Sequence, residues 1–156
     1  MNMFQAIGDF FLSAWLWHRT FDWFHPVIAG IVMFFMLRIV LRRKRVPSLC
    51  IALGAQLFAF LALDLLVTYF LIEALNWTFE PLSDPRYAFA IVQMLYGSLS
   101  VGLIYAFFQS LYFLGGRLFL HYNAIAFCMV AWISNGIGML ISYLFIRMFV
   151  LWQYKN

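Results

Sequence analysis

The chain has 156 residues, of which 66% are hydrophobic and only 10% charged, with a mean hydropathy of +0.91. A soluble domain of this length carries about a quarter charged residues, so these figures exclude an ordinary water-soluble fold. The net charge is +4, but four of the ten basic residues form one run, Arg42-Arg43-Lys44-Arg45; that pattern marks membrane topology and contact with anionic lipid heads, not a nucleic-acid surface.

Residues 3–17 are apolar with a narrow polar stripe of Gln5, Asp9 and Ser13 at helical spacing. The stretch is short for a span and ends in Trp15, Trp17, His18 and Arg19, so it predicts an amphipathic helix lying in the membrane interface. Met1 to Leu16 lack a basic n-region and a small-x-small cleavage site, so the N-terminus is expected to belong to the mature protein.

The first span is predicted over 25–41, opened by His25-Pro26, since proline suits a helix start. Arg38 lies close enough to the basic run to snorkel to the same surface. Pro47 introduces the second span, 49–75, which carries Gln56, Asp64 and Thr68 in its interior and Glu73 near its end. The stretch Asn76 to Arg86 holds two prolines and two acids and predicts a loop at the water surface. A third span follows over 87–114, and Gly115-Gly116-Arg117 predicts a tight turn. The last apolar segment, 118–151, exceeds what one crossing of roughly 20 residues needs; it predicts either a tilted helix or a hairpin broken at Asn135-Gly136-Ile137-Gly138.

The expected fold is therefore all-α: one polytopic membrane domain over residues 1–156, a four-helix transmembrane bundle with an N-terminal interfacial helix. The positive-inside rule puts the basic loop 42–46 and Arg117 on the cytoplasmic side and both termini on the other, with a bacterial inner membrane the best fit; Arg147 and Lys155 then break the rule, and a hairpin in the last segment would return them inside.

Asp64 stands out, because a carboxylate deep in an apolar span costs several kcal/mol and such residues usually face a bundle interior and carry a function. Gln56, Phe60, Asp64 and Thr68 share a slowly drifting helical face. Facing spans offer Gln93, Tyr96, Ser98, Ser100, Tyr105, Gln109 and Ser110 on the third and Asn123, Ser134, Asn135 and Ser142 on the fourth. Asp64, Gln56, Thr68, Gln93 and Asn135 are the candidate substrate or proton site. A group that exchanges between neutral and charged forms can trade a proton for a cation; the plainer roles are a hydrogen bond that holds helices together and an ion pair with a basic residue of a partner subunit. Ser98 with Gly102, and Ser134, Gly138 and Ser142, are small residues at close-packing spacing and predict helix contact within or between chains.

No cofactor, metal or enzymatic centre is expected. His25 and His121 do not lie at one depth for a haem, and His18 and His25 would do so only with the N-terminal helix folded back; no second deep carboxylate accompanies Asp64, and no phosphate-cradling glycine loop is present. Cys50 and Cys128 form no CxxC motif and predict no disulfide. The sequence points to a small transporter or channel-like module, oligomeric, that handles a proton or small cationic solute through a buried carboxylate. The alternative is a non-catalytic subunit that packs on other membrane proteins.

Overall fold

A computed structural model describes residues 24–69, 87–118 and 123–155, with Ile7 and Phe11 as isolated helical positions; for 87–97, 146, 149–151 and 153–155 it describes the backbone alone. The rest of the predicted interfacial helix, the loop 76–86, the end of the second predicted span, His18 and His121 lie outside the described residues.

Four helices are present: α1 (Phe24–Ile39), α2 (Arg45–Leu65), α3 (Tyr87–Arg117) and α4 (Ala124–Lys155). Each packs on its two neighbours in a ring, α1 on α2 and α4, α3 on α2 and α4. Helices adjacent in sequence are adjacent in space, the order of an up-and-down four-helix bundle.

Three stretches are long and apolar enough to cross a membrane: Arg45–Tyr69, Ser98–Arg117 and Ala124–Phe145. The fourth helix, α1, has 16 residues and extends about 24 Å, less than the roughly 30 Å of a hydrocarbon core. The outward surface is as apolar as the interior. Leu53, Leu57, Leu61 and Leu65 make an exposed row along α2, and a helix apolar on all sides belongs inside a large core or a bilayer.

The ends of the helices differ from the sequence reading in instructive ways. α2 begins within the basic run, four residues before the predicted start. Lys44 is its N-cap (φ −65°, ψ 158°), and Ser48 donates both its backbone N–H (3.0 Å) and its hydroxyl (2.8 Å) to the Lys44 carbonyl. Pro47 fits there because the N–H groups of a first turn have no intrahelical partner to lose. Positive charge at a helix N-terminus has the wrong sign for the helix dipole, so the basic run is not placed to stabilise α2.

Gly115 and Gly116 continue α3 instead of turning, with no positive φ at either. A helical ending keeps the intrahelical hydrogen bonds that a turn at this point would give up. The chain leaves the helix only at Leu118, whose N–H reaches the Gly115 carbonyl at 3.1 Å. α4 runs unbroken through Asn135–Gly138, which replaces the hairpin alternative with a single helix of about 48 Å, long enough to project from a bilayer.

The core has two halves. At the end where α2 begins, Met33, Leu37, Ala52, Ala55, Phe113, Phe127, Val130 and Ala131 form an apolar cluster. Toward the Phe24 end the interior turns polar.

Candidate functional site

α1 buries one residue per turn, His25, Ala29, Met33 and Leu37. The spacing of four leaves a single stripe facing inward. At its head lies His25, fully buried, with its ring edge-on to Tyr105 of α3 at 5.3 Å between centroids. It therefore sits inside the bundle and not at the interface where the helix-start reading placed it. Proline at the next position is tolerated in the first turn, so the helix begins early enough to carry His25 inward.

Gly138 makes this possible on the facing side. A Cβ there would lie 3.0 Å from the Ala29 Cβ and 3.2 Å from the His25 Cδ2. The small-residue stripe of α4 thus packs against α1 of its own chain. Gly102 does the same on α3, where a Cβ would meet Met139 at 3.1 Å.

One turn below, α3 and α4 are joined by two carboxamides. Asn135 donates from Nδ2 to the Gln109 Oε1 at 2.6 Å and to the Ala131 carbonyl at 2.8 Å. Both side chains are fully buried. Gln109 Nε2 and Asn135 Oδ1 have no hydrogen-bond partner among the described residues. The same holds for the hydroxyls of Ser98, Ser134 and Ser142, all buried. Together with His25 and Tyr105 these residues give the core between α1, α3 and α4 a polar, hydrogen-bonding lining. It stops at the aromatic pair Phe113–Phe127, 5.3 Å apart, in the apolar cluster.

Gln56 of α2 packs against Gly30 of α1, where a Cβ would be 3.4 Å from its Cγ. Neither end of its amide has a hydrogen-bond partner among the described residues. The α1–α4 contact at Gly138 sets Asn135 level with Gly30, so Gln56, Gln109 and Asn135 occupy about the same height in the bundle. Buried amides left unmet cost about 1–3 kcal/mol each, which makes this layer the least self-satisfied part of the interior.

Asp64 is the acidic residue among the described residues. It is half-buried at the edge of the inward face of α2. Eight residues separate it from Gln56, about 12 Å along the helix, so it stands toward the Phe24 end of the bundle and not within the amide layer. Directly after it, residues 66–69 widen into a π-helical turn, a form that often marks functional positions. Thr68 lies in that turn, its Oγ1 buried and without a hydrogen-bond partner among the described residues. The five candidate site residues are thus placed apart. Asp64 and Thr68 are neighbours, Gln56 and Asn135 belong to the deeper layer, and the side chain of Gln93 lies outside the described residues.

No group of three or more metal-ligating side chains occurs among the described residues. The basic residues Arg42, Arg43, Lys44 and Arg45 are exposed at the opposite end of the bundle from Asp64. There the Arg43 guanidinium lies 5.5 Å from the Phe127 ring centroid, Arg38 donates to the Arg43 carbonyl at 3.3 Å, and Arg42 adopts a left-handed φ of 50°.

Compared with known proteins, the chain matches no family model, no curated protein and no solved structure.

Proposed function

We propose that this protein is a small integral membrane transporter that handles a proton or a small cationic solute, with Asp64 as the residue that exchanges charge. The observation that carries the reading is the interior of the bundle: buried amides and hydroxyls with unmet hydrogen-bonding capacity, inside a molecule whose outer surface is apolar. A bundle that needed only to pack would gain more from apolar contacts, since polar bonds between membrane helices average about 0.6 kcal/mol. The half-buried carboxyl beside a widened turn supplies a chargeable group where that polar lining approaches the Phe24 end.

In this reading the cation or proton meets Asp64 and Thr68, and Gln56, Gln109 and Asn135 lie deeper along its course. The Phe113–Phe127 cluster closes the far side, so passage requires the helices to rearrange. The basic end of the molecule faces the cytoplasm, where the run Arg42–Arg45 meets anionic head groups. An oligomer supplies the width that one bundle lacks.

The alternative is a non-catalytic subunit that would use its small-residue stripes to bind a partner. Gly102 and Gly138 are occupied by packing within the chain, so those two positions do not supply the partner contact.

The test is a residue substitution in sealed proteoliposomes. Asp64→Asn is expected to abolish proton-coupled cation movement while leaving the melting temperature in detergent near that of the parent. An Asp64→Asn variant that transports like the parent removes Asp64 from the mechanism.

A further inference from the structure

The outer face of α3 and α4, near the basic end, carries a feature that the transport reading does not use. Leu114, Ile125, Cys128, Met129, Trp132 and Ile133 line an open groove of about 360 Å³. It follows α4 from Ile125 to Ile133, eight residues or about 12 Å along the helix axis. In a bundle that crosses a bilayer this direction is that of the acyl chains. The lining is apolar throughout, and Trp132 and Met129 remain about half exposed beside it.

Arg117, exposed in the last turn of α3, follows the lining residue Leu114 by three positions. Residues three apart share a helix face, which sets Arg117 about one turn beyond Leu114, toward the basic end of the molecule. The other charged residues described at that end, Arg38 and Arg42 to Arg45, are basic as well. The site therefore combines a slot for a hydrocarbon chain with a positive charge at head-group height.

We infer that this groove holds one anionic phospholipid, its acyl chain along Ile125, Met129 and Ile133 and its phosphate on Arg117. The occupant is a lipid and not a protein because the groove covers only about two helical turns. A stable protein interface needs roughly 800 Å² on each partner, and charge beyond one end combined with apolar walls matches a molecule with one charged end. Arginine suits the phosphate because its guanidinium pairs with two oxygens at once. The inference is independent of Asp64 and stands or falls without the transport reading.

The experiment is native mass spectrometry of the full chain, delipidated in detergent and titrated with phosphatidylglycerol or phosphatidylcholine of matched chains. One phosphatidylglycerol per chain is expected to be retained about fivefold more tightly than phosphatidylcholine, the effect of one basic side chain near a lipid phosphate. Arg117→Gln should erase that preference. Leu114→Trp, which fills the groove from an exposed position, should weaken both lipids together. Each variant is checked for an unchanged melting temperature. Equal retention of the two lipids by the parent, or a preference that survives Arg117→Gln and disappears instead in the Arg42→Gln/Lys44→Gln double variant, overturns the inference.

Discussion

Asn135 and Gln109 meet across α3 and α4 through one 2.6 Å hydrogen bond in a fully buried setting. Removing one partner leaves the other with further unmet polarity, whereas removing both replaces a polar pair with apolar contact. Asn135→Leu and Gln109→Leu are each expected to destabilise the protein by about 1–3 kcal/mol. The double variant should lose less than the sum, with a coupling of about 0.6–1.7 kcal/mol. Equilibrium unfolding of the four proteins in one detergent measures the cycle; strict additivity would mean that the pair is not energetically joined. At this scale the sequence is half legible. Asn135 and Gln109 both appear in the sequence among the polar residues that could face Asp64, but nothing local shows that they pair with each other. His25 is misleading: it sits next to a proline at a helix start, and only the register against Gly138 reveals that it is enclosed. Asp64 is conspicuous in sequence as a charge among apolar residues, but its height relative to the amide layer depends on how α2 is set against α1.

Among the helices, the contact of α1 with α4 depends most directly on a single missing side chain. Gly138→Leu would drive a side chain into the Ala29 backbone, whose Cα is 3.3 Å from the Cβ position, and into His25. Overpacking of this kind costs about 1–3 kcal/mol. Gly136, two residues earlier, has nothing within 4 Å of the same position; there Gly→Ala removes backbone freedom in a helix and should stabilise by about 0.5–1 kcal/mol. Opposite shifts in melting temperature for Gly138→Leu and Gly136→Ala are the expected result, and equal shifts would show that α1 does not rest on α4 at Gly138. The helices themselves are legible as long apolar runs, because a helical backbone is the open form that meets its own hydrogen bonds in lipid. Their ends are less so. Gly115-Gly116 signals a turn by composition, but composition carries no information about the intrahelical hydrogen bonds that a turn would give up. Likewise, the start of α2 is hidden within the basic run, where charge obscures helical periodicity.

The whole molecule is unevenly charged: Arg38, Arg42 to Arg45 and Arg117 lie at one end of the described bundle, whereas Asp64 and the exposed Arg147 lie toward the other. If that asymmetry sets topology, a cysteine at position 44 should react with a membrane-impermeant thiol reagent only after the cytoplasmic face is opened; labelling in intact cells would reverse the orientation. Native mass spectrometry of protein extracted gently from its own membrane should show copies of this chain together, whereas a stoichiometric complex with different chains would favour a subunit role. The central claim, that the bundle moves a proton or cation by itself, is tested most directly with purified protein reconstituted alone into sealed vesicles that contain a pH-sensitive dye. An imposed gradient of small inorganic or organic cations is expected to drive proton movement in proportion to the protein present. Folded, inserted protein that gives no proton or cation flux above protein-free vesicles contradicts the account.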